Sequence, residues 1–349
     1  MRSIGRKKPK LPLIGSSPRH PRRRRPLDWL RGIRYTRNMS PYIEIILKIL
    51  PIIVLFGAGA VMRRIRFFRT ETVAELKKLV VNVTLPALLF LAFASMRLEA
   101  VHLIVIGAVF AVCVVMLLVG RPLSRLVGMR TPYFAMLLAG FETGMLGYAI
   151  FTSVFGLEHI DKLAIIDLGQ VLFVFFVLMT MLIRIRGGAQ SSREVGRLFI
   201  TSPVIISIFA GIAVSLIGMA VPVTENPAWE TLESLFTLVG RITTPVIAIV
   251  IGFELSFAGT GITRTVKTIL VRYALLAAAA VLLNRFLIRG LLGLDRMYEY
   301  ALMTMFLLPP PFVISVFMDE EDRENGEYVA NTLSVSTLVT LGVFILAML

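Results

Sequence analysis

The stretch AGFETGMLGYA, Ala139 to Ala149, lies in the middle of an otherwise apolar segment, PYFAMLLAGFETGMLGYAIFTSVF, residues 132–155. It places Glu142 among three glycines, two of which, Gly144 and Gly147, follow it. Glycine lacks the side chain that restricts the backbone, so these positions loosen a helix. An ionised carboxylate at the centre of a bilayer is costly unless it is paired or faces water. We therefore predict a membrane helix that is interrupted at a functional site.

The whole chain has the composition of an integral membrane protein. It contains 349 residues, of which 56% are hydrophobic, and its mean hydropathy is +0.81. A helical span needs about 20 apolar residues, and ten such runs occupy almost everything after residue 40: 42–62, 75–95, 101–119, 133–156, 162–183, 203–222, 232–256, 269–288, 297–318 and 328–348. No loop between these runs can hold a soluble domain. We expect an all-α polytopic protein of the cytoplasmic cell membrane, with the lipid bilayer as its surroundings.

Residue content argues against an enzyme. The chain has one cysteine, Cys113, and three histidines that are far apart in sequence, so no metal-ligand spacing is present. No glycine-rich phosphate loop is present either. We expect no catalysis, no organic cofactor and no nucleic-acid partner. Residues 1–38 hold 13 of the 37 lysines and arginines, and we read them as a basic, disordered tail rather than as an arm for anionic lipid or nucleic acid.

The loops between the predicted spans differ in charge. The first loop holds four arginines between residues 63 and 69, whereas the second holds Arg97 alone. Over all loops, the odd-numbered ones carry fifteen lysines and arginines, with Arg272 counted among them, and the even-numbered ones carry five. Positive charge favours the cytoplasmic side. We therefore predict that the odd loops are cytoplasmic and that both ends of the ten-span body are outside.

The second and seventh spans share a pattern. LVVNVTLPALLF, Leu79–Phe90, aligns without a gap with LVGRITTPVIAI, Leu238–Ile249, so that Pro86 meets Pro245. The fourth and ninth spans also align, with residues 142–144 opposite residues 308–310. We predict two five-helix repeats, 39–186 and 200–349, joined by a cytoplasmic linker, 187–199. Because five is odd, the second repeat is inverted in the membrane.

The ninth span carries its own interruption. Pro309, Pro310 and Pro311 follow one another in the middle of it, and each removes a backbone donor and disfavours helix at the residue before it. Inverted repeats with broken helices at matching positions are typical of secondary transporters, which bind substrate where the breaks meet. We predict broken, crossing helices 4 and 9.

Three stretches give the chain a resemblance to a known family. The N-x-x-x-P pattern of Asn82 and Pro86, the run TPVIAIVIGFEL at Thr244–Leu255 and the run EYVANTLSVSTL at Glu327–Leu338 resemble the auxin efflux carrier family, which includes bacterial permeases for malonate and malate. The resemblance covers about residues 40–349. It implies ten helices in two inverted repeats, with helices 1, 2, 6 and 7 as a scaffold against which the crossing helices move. Relatives usually carry asparagine where Glu142 stands and proline near Ala149.

Polar residues inside the spans are the candidate site residues. Those expected to bind substrate are Asn82, Thr143, Gly144, Arg241, Pro309 and Pro310. Those expected to bind a coupling ion, a proton or sodium, are Glu142, Asp167, Gln170 and Asn331. Arg241 suits a carboxylate ligand because guanidinium forms two parallel hydrogen bonds, but pairing with Glu142 is an open alternative. Asp167 and Gln170 share a helix face and either complete a cation site or hold neighbouring helices together.

We expect a secondary active transporter that carries a small organic anion by alternating access and is coupled to a proton or sodium gradient. The alternative from another functional class is a membrane-embedded sensor that binds a ligand on the same fold without moving it. A homodimer is compatible with the sequence.

Overall fold

The computed structural model describes residues 41–96, 99–185, 192–218, 227–255, 261–316 and 322–348, and all regular structure in these ranges is helical. The helices are α1 Pro41–Arg64, α2 Thr70–Leu79, α3 Leu85–Ser95, α4 Ala100–Leu126, α5 Tyr133–Leu138, α6 Tyr148–Phe155, α7 Ile160–Phe173, α8 Met179–Ile185, α9 Ser192–Thr201, α10 Pro203–Gly218, α11 Pro227–Arg241, α12 Thr243–Glu254, α13 Ile262–Leu282, α14 Arg296–Leu307, α15 Val313–Val316 and α16 Arg323–Met348. The predicted all-α class is confirmed for these ranges. The predicted tail, 1–38, lies outside them, and α9 begins inside the predicted linker.

Six helical stretches in the described ranges are long and apolar enough to cross a membrane: Thr70–Ser95, Ala100–Leu126, Tyr133–Phe155, Leu157–Ile185, Pro227–Glu254 and Ile262–Leu291. Pro203–Gly218 is a shorter apolar helix. The chain is therefore a multi-pass membrane protein. The runs predicted at 42–62, 297–318 and 328–348 are not among the six. The run at 297–318 falls short because its three prolines divide it into α14 and α15.

Two membrane stretches are loosened just before a proline. Between α2 and α3 the chain makes a π-helical turn, Val80–Thr84, ahead of Pro86. Between α11 and α12 it makes a turn at Ile242, ahead of Pro245. Proline has no N–H to donate to the carbonyl four residues earlier, so the regular hydrogen-bond ladder is interrupted at both places. Such π-helical turns are frequent near functional sites.

Glycines bring two pairs of helices into close contact. α1 packs against α12, and a methyl group on Gly59 would overlap the Ile249 carbonyl oxygen. α10 packs against α3, and a methyl group on Gly211 would lie 2.6 Å from the Phe90 carbonyl oxygen. Small residues let membrane helices approach until their backbones touch, which gains dispersion energy that lipid cannot supply.

The remaining helices surround one deeply buried stretch. α4 packs against α7 and α5, and α13 packs against α16 and α14. Of the six membrane stretches, Tyr133–Phe155 is the most buried, whereas α4 and α13 expose apolar side chains such as Leu103 and Leu270. Irregular backbone at membrane depth must be shielded from lipid, because unpaired peptide groups are costly there. The bundle gives that shielding to the stretch that contains Glu142.

Candidate functional site

The first helix break follows α5. α5 ends at Leu138, the chain continues in extended and left-handed conformation, and helix resumes with a π-helical turn, Thr143–Gly147, that leads into α6. Gly140 has φ +73°, a conformation that favours glycine. A methyl group on it would also lie 2.8 Å from Pro311 Cγ. Glycine is therefore required here both for its backbone angle and for the close approach of the other break.

The second break follows α14 and contacts the first. α14 ends at Leu307, residues 308–311 are not helical, and α15 begins at Val313. The Glu142 N–H donates to the Pro309 carbonyl oxygen at 3.0 Å. The Phe141 and Phe306 rings stack, with centroids 5.2 Å apart. Each break thus satisfies part of the backbone that the other leaves unpaired.

The helix ends give the two breaks a register that differs from that of the sequence alignment. The alignment put Glu142 opposite Leu308. In the structure Ala139 is the residue after the last helical residue of α5, and Leu308 holds the same position after α14. Counted from the helix ends, Leu308 therefore corresponds to Ala139, three residues before the Glu142 with which the sequence alignment pairs it. Apolar similarity set the register of that alignment, whereas backbone geometry fixes where each helix ends.

The Glu142 carboxylate joins the amino ends of the two downstream half-helices. Oε2 accepts a hydrogen bond from the Phe312 N–H at 2.6 Å, and Oε1 accepts one from the Met145 N–H at 3.3 Å. A helix amino end carries partial positive charge and free N–H groups, so it favours an anion. The Glu142 carboxyl group takes this place at both half-helices. An arginine or lysine partner is not needed for this, and no salt bridge to Glu142 is found in the described residues.

The structure adds Arg272, a predicted loop residue, to the site. Arg272 lies within α13, and its side chain is completely buried. Nη1 donates to the carbonyl oxygens of Leu137 and Leu138 at 2.9 and 2.8 Å. Nη2 donates to those of Gly140 and Leu308 at 2.7 and 3.1 Å. The guanidinium therefore joins the carboxyl ends of the two upstream half-helices, where the partial charge is negative.

A periodic signal in the sequence pointed to this role. Thr265, Ile269, Arg272 and Leu276 follow one another at spacings of four, three and four, and all four are buried. Such spacing places residues on one face of a helix. The position of Arg272 on an inward stripe, rather than its distance from the end of an apolar run, would have separated it from the loop arginines.

Asp167 and Gln170 lie together beside the first break. Asp167 accepts from the Tyr148 hydroxyl at 2.9 Å and from Gln170 Nε2 at 3.2 Å. Gln170 Nε2 also donates to the Phe141 carbonyl oxygen at 2.9 Å. Both side chains are buried. They connect α7 to the break and to α6, and Thr143, which is fully buried, belongs to the same break.

A cavity of about 230 Å³ lies next to the second break. Its lining includes Phe312, whose N–H binds Glu142, and the ion pair between Lys77 and Glu254, 2.6 Å between Nζ and Oε1. The hydroxyl residues Ser315, Ser334 and Thr337 and the apolar residues Ile251, Leu255, Ala330 and Leu333 complete it. The predicted cytoplasmic ends of spans 2 and 7 supply Lys77 and Glu254, so this is the inner cavity on the predicted orientation.

Arg241 lies at a second cavity of about 370 Å³. It is exposed at the end of α11, and its cavity is lined by three carboxylates, Glu158, Asp161 and Glu233, together with Thr237 and residues of α3. The predicted outside ends of spans 2 and 7 supply Ser95 and Glu233, so this is the outer cavity on the predicted orientation. Its lining residues are different from those that contact Glu142. The structure thus separates Arg241 from Glu142, its alternative partner in the sequence-based prediction.

The other predicted residues lie in several places. Pro309 and Pro310 are buried in the second break, and Asn331 is buried in α16. Gly144 lies in the turn after Glu142, and a methyl group on it would be 3.6 Å from Leu85 Cδ2. Asn82 is exposed in the π-helical turn before Pro86.

The site therefore unites residues from four predicted spans. Glu142 supplies one half-buried carboxylate to the amino ends of two half-helices, and Arg272 supplies one buried cation to the carboxyl ends of the other two. No protein-family model and no curated protein matches this sequence.

Proposed function

We propose that this chain is a secondary transporter of a small organic anion that works by alternating access around the two helix breaks. The observation that carries the proposal is the contact between the breaks, with Glu142 on the amino ends and Arg272 on the carboxyl ends. Transporters with discontinuous membrane helices bind solutes and coupling ions at such ends. The buried position of the breaks and the adjoining cavity are consistent with this use.

The packing supports an inverted repeat of ten spans, with spans 4 and 9 broken. Gly59 of α1 meets the carbonyl oxygen of Ile249, and Gly211 of α10 meets that of Phe90. Phe90 and Ile249 are equivalent in the alignment of spans 2 and 7, as are Pro86 and Pro245. The first span of each half therefore packs on the second span of the other half at the same place. An arrangement of this kind follows from two similar units related by an in-plane two-fold axis.

The inner cavity suits a small anion. Its volume of about 230 Å³ lies below the usual range of drug-sized sites, about 300–1,000 Å³, which favours a compact solute. Lys77, which pairs with Glu254, brings a cationic group to the cavity, and the Phe312 N–H lies at the edge nearest Glu142. The Ser315 and Thr337 hydroxyls, which donate to backbone carbonyl oxygens, add polar oxygen atoms to the lining. We assign this cavity to an organic acid of few carbon atoms, with its carboxylate directed toward Phe312.

Glu142 couples the anion to an ion gradient. Its carboxylate uses the Phe312 N–H that an anionic substrate would need. A proton or a sodium ion on Glu142 neutralises its charge and weakens it as an acceptor, which frees that N–H for the substrate. Departure of the substrate and the ion lets Glu142 return to both half-helices. Asp167, linked to the first break through Gln170, is the second carboxylate of the ion site.

The resemblance to the auxin efflux carrier family supports the same assignment and the cytoplasmic membrane as its location. On this proposal α1, α3, α10 and α12 form the scaffold, and α5, α6, α14 and α15 move against it. The site is reached in turn from the two sides of the membrane. The inner cavity, at Lys77 and Ser334, gives access from the cytoplasm, and the outer cavity, at Thr237 and Arg241, gives access from outside.

Transport by purified protein in liposomes tests the proposal. Labelled mono- and dicarboxylates of two to six carbon atoms are offered with and without an imposed proton or sodium gradient, and protein-free liposomes are the control. We expect uptake of at least one acid above the control and accumulation when the gradient is imposed. Saturable binding of an acid without uptake would instead support a sensor, and neither binding nor uptake of any anion would contradict the proposal.

A further inference from the structure

The buried charge of Arg272 is neutralised by backbone and by no carboxylate in the described residues. The guanidinium donates four hydrogen bonds to carbonyl oxygens, and these carbonyl groups belong to both helix breaks. The Phe141 ring lies 5.2 Å from its guanidinium carbon, which adds a cation–π contact. Glu142 is held by amide groups. Both oxygens of Asp167 already accept hydrogen bonds, from Tyr148 and Gln170.

Carbonyl oxygens at the carboxyl ends of interrupted helices are the groups that bind sodium in secondary transporters. In this protein the Arg272 guanidinium binds carbonyl oxygens of this kind. Two of the carbonyls end α5, one lies inside the first break and one begins the second. A cation at this position offsets the negative ends of two half-helix dipoles at once. Arginine keeps its charge at any physiological pH, and its covalent attachment to α13 prevents it from leaving.

We propose that Arg272 is a resident cation that occupies the position of a coupling sodium ion at the helix breaks, so that the transporter works without sodium. The inference rests on the proposed function and deepens it, because it leaves the proton as the coupling ion at Glu142. It also assigns Arg272 a positioning role: it holds the carboxyl ends of α5 and α14 together in every state of the cycle.

The stability of purified protein in different salts tests this without any substrate. Wild type, Arg272→Gln, Arg272→Lys and Arg289→Gln are melted in sodium, potassium or N-methyl-D-glucamine chloride at equal ionic strength. Arg289 is the control for loss of an arginine, because it belongs to the same helical stretch but its side chain is exposed and pairs with Glu299 rather than with the helix breaks. We expect the wild-type melting temperature to be the same in the three salts. We expect Arg272→Gln to melt several degrees lower in N-methyl-D-glucamine and to recover partly with sodium or methylguanidinium.

The lysine variant separates charge from shape. Arg272→Lys retains the charge but cannot form the same fork of hydrogen bonds, so we expect intermediate stability and little response to sodium. Arg289→Gln removes a partner of Glu299 but no contact with the helix breaks, so its melting temperature should be the same in the three salts. A purely structural role for Arg272 would lower stability equally in all three salts, and that result would overturn the proposal.

Anion uptake by the wild-type protein gives a second test that needs no variant. Replacing sodium by N-methyl-D-glucamine should leave anion uptake unchanged, whereas loss of a coupling ion typically lowers affinity about 5- to 150-fold. A fall of that size in wild-type uptake, or a sodium-dependent rise in wild-type melting temperature, would overturn the inference even if Arg272→Gln does not fold. Absence of uptake of every anion would count against the proposed function, while the melting series would still decide the role of Arg272.

Discussion

The contact between α1 and α12 gives the sharpest test of the packing. In Gly59→Ala the added methyl carbon would overlap the Ile249 carbonyl oxygen and lie 2.8 Å from Phe253 N and 2.9 Å from the Ile249 carbonyl carbon. All three atoms are backbone, so no side-chain rotation relieves the overlap. Carbon atoms pack best at about 3.5–4.0 Å, so the two helices must separate by about 1 Å. Gly57→Ala is the matched control, because a methyl group there meets nothing within 4 Å.

Overpacking of this kind costs about 1–3 kcal/mol, which corresponds to a change of about 5- to 150-fold in the ratio of folded to unfolded protein. The assay is unfolding in mixed detergent micelles with increasing dodecyl sulfate, followed by circular dichroism. We expect Gly59→Ala to unfold at lower denaturant than wild type, and Gly57→Ala to unfold at the wild-type concentration or above it.

The repeat-related pair extends the test. Gly211→Ala should destabilise the protein by a similar amount, since Gly211 approaches the Phe90 carbonyl oxygen, and Gly218→Ala, with nothing within 4 Å, should not. If Gly59→Ala is as stable as Gly57→Ala, the close approach of α1 and α12 is wrong. If only one of the two glycine pairs shows the effect, the two halves do not pack alike, and the inverted repeat loses its main support.

Three further predictions concern the site and its access. Glu142→Gln should still exchange labelled for unlabelled anion but lose accumulation driven by a proton gradient, because glutamine cannot bind a proton; retained accumulation would contradict the coupling role. Lys77→Gln should raise the substrate KM about 5- to 10-fold, the equivalent of about 1–1.4 kcal/mol for a weakened charged hydrogen bond, and an unchanged KM for every transported anion would remove Lys77 from the substrate site. In sealed cells, an impermeant maleimide should label Thr237→Cys from outside, whereas Ser315→Cys, at an exposed position of the inner cavity, should react only from the cytoplasmic side. The buried native Cys113 should not react, and labelling from the opposite sides would contradict the orientation.

The two central charges show how differently sequence and structure inform a membrane site. Glu142 is visible in the sequence because its neighbours are apolar or glycine, so a carboxylate there demands an explanation. Arg272 is hidden because Arg264 and Lys267 precede it, and a series of cations at the start of an apolar run looks like a cytoplasmic loop. Its removal from the loop count leaves fourteen cations on the odd side against five on the even side, so the predicted orientation stands on the other residues.

The groups that a site residue contacts are harder to predict from sequence than the span in which it lies. Arg241 and Asn82 are predicted substrate residues because they are polar and lie inside apolar runs. In the structure Arg241 lines the outer cavity among carboxylates, and Asn82 is exposed. Residue type fixes what a side chain can bind. Which groups it meets depends on the rotation of each helix and on its depth in the bundle, and a single sequence does not specify either closely.

The sequence by itself determined that the chain is helical and membrane-embedded, because apolar runs of membrane length leave the backbone no other way to satisfy its hydrogen bonds in lipid. It also located both interruptions, since glycine and proline act on their own backbone. Only the tertiary structure decided what completes those interruptions. The carbonyls of Leu138 and Leu308 are 170 residues apart in the chain and meet one guanidinium from a third helix. Contacts of that kind depend on how helices distant in sequence pack together, and the local residue pattern does not determine that packing.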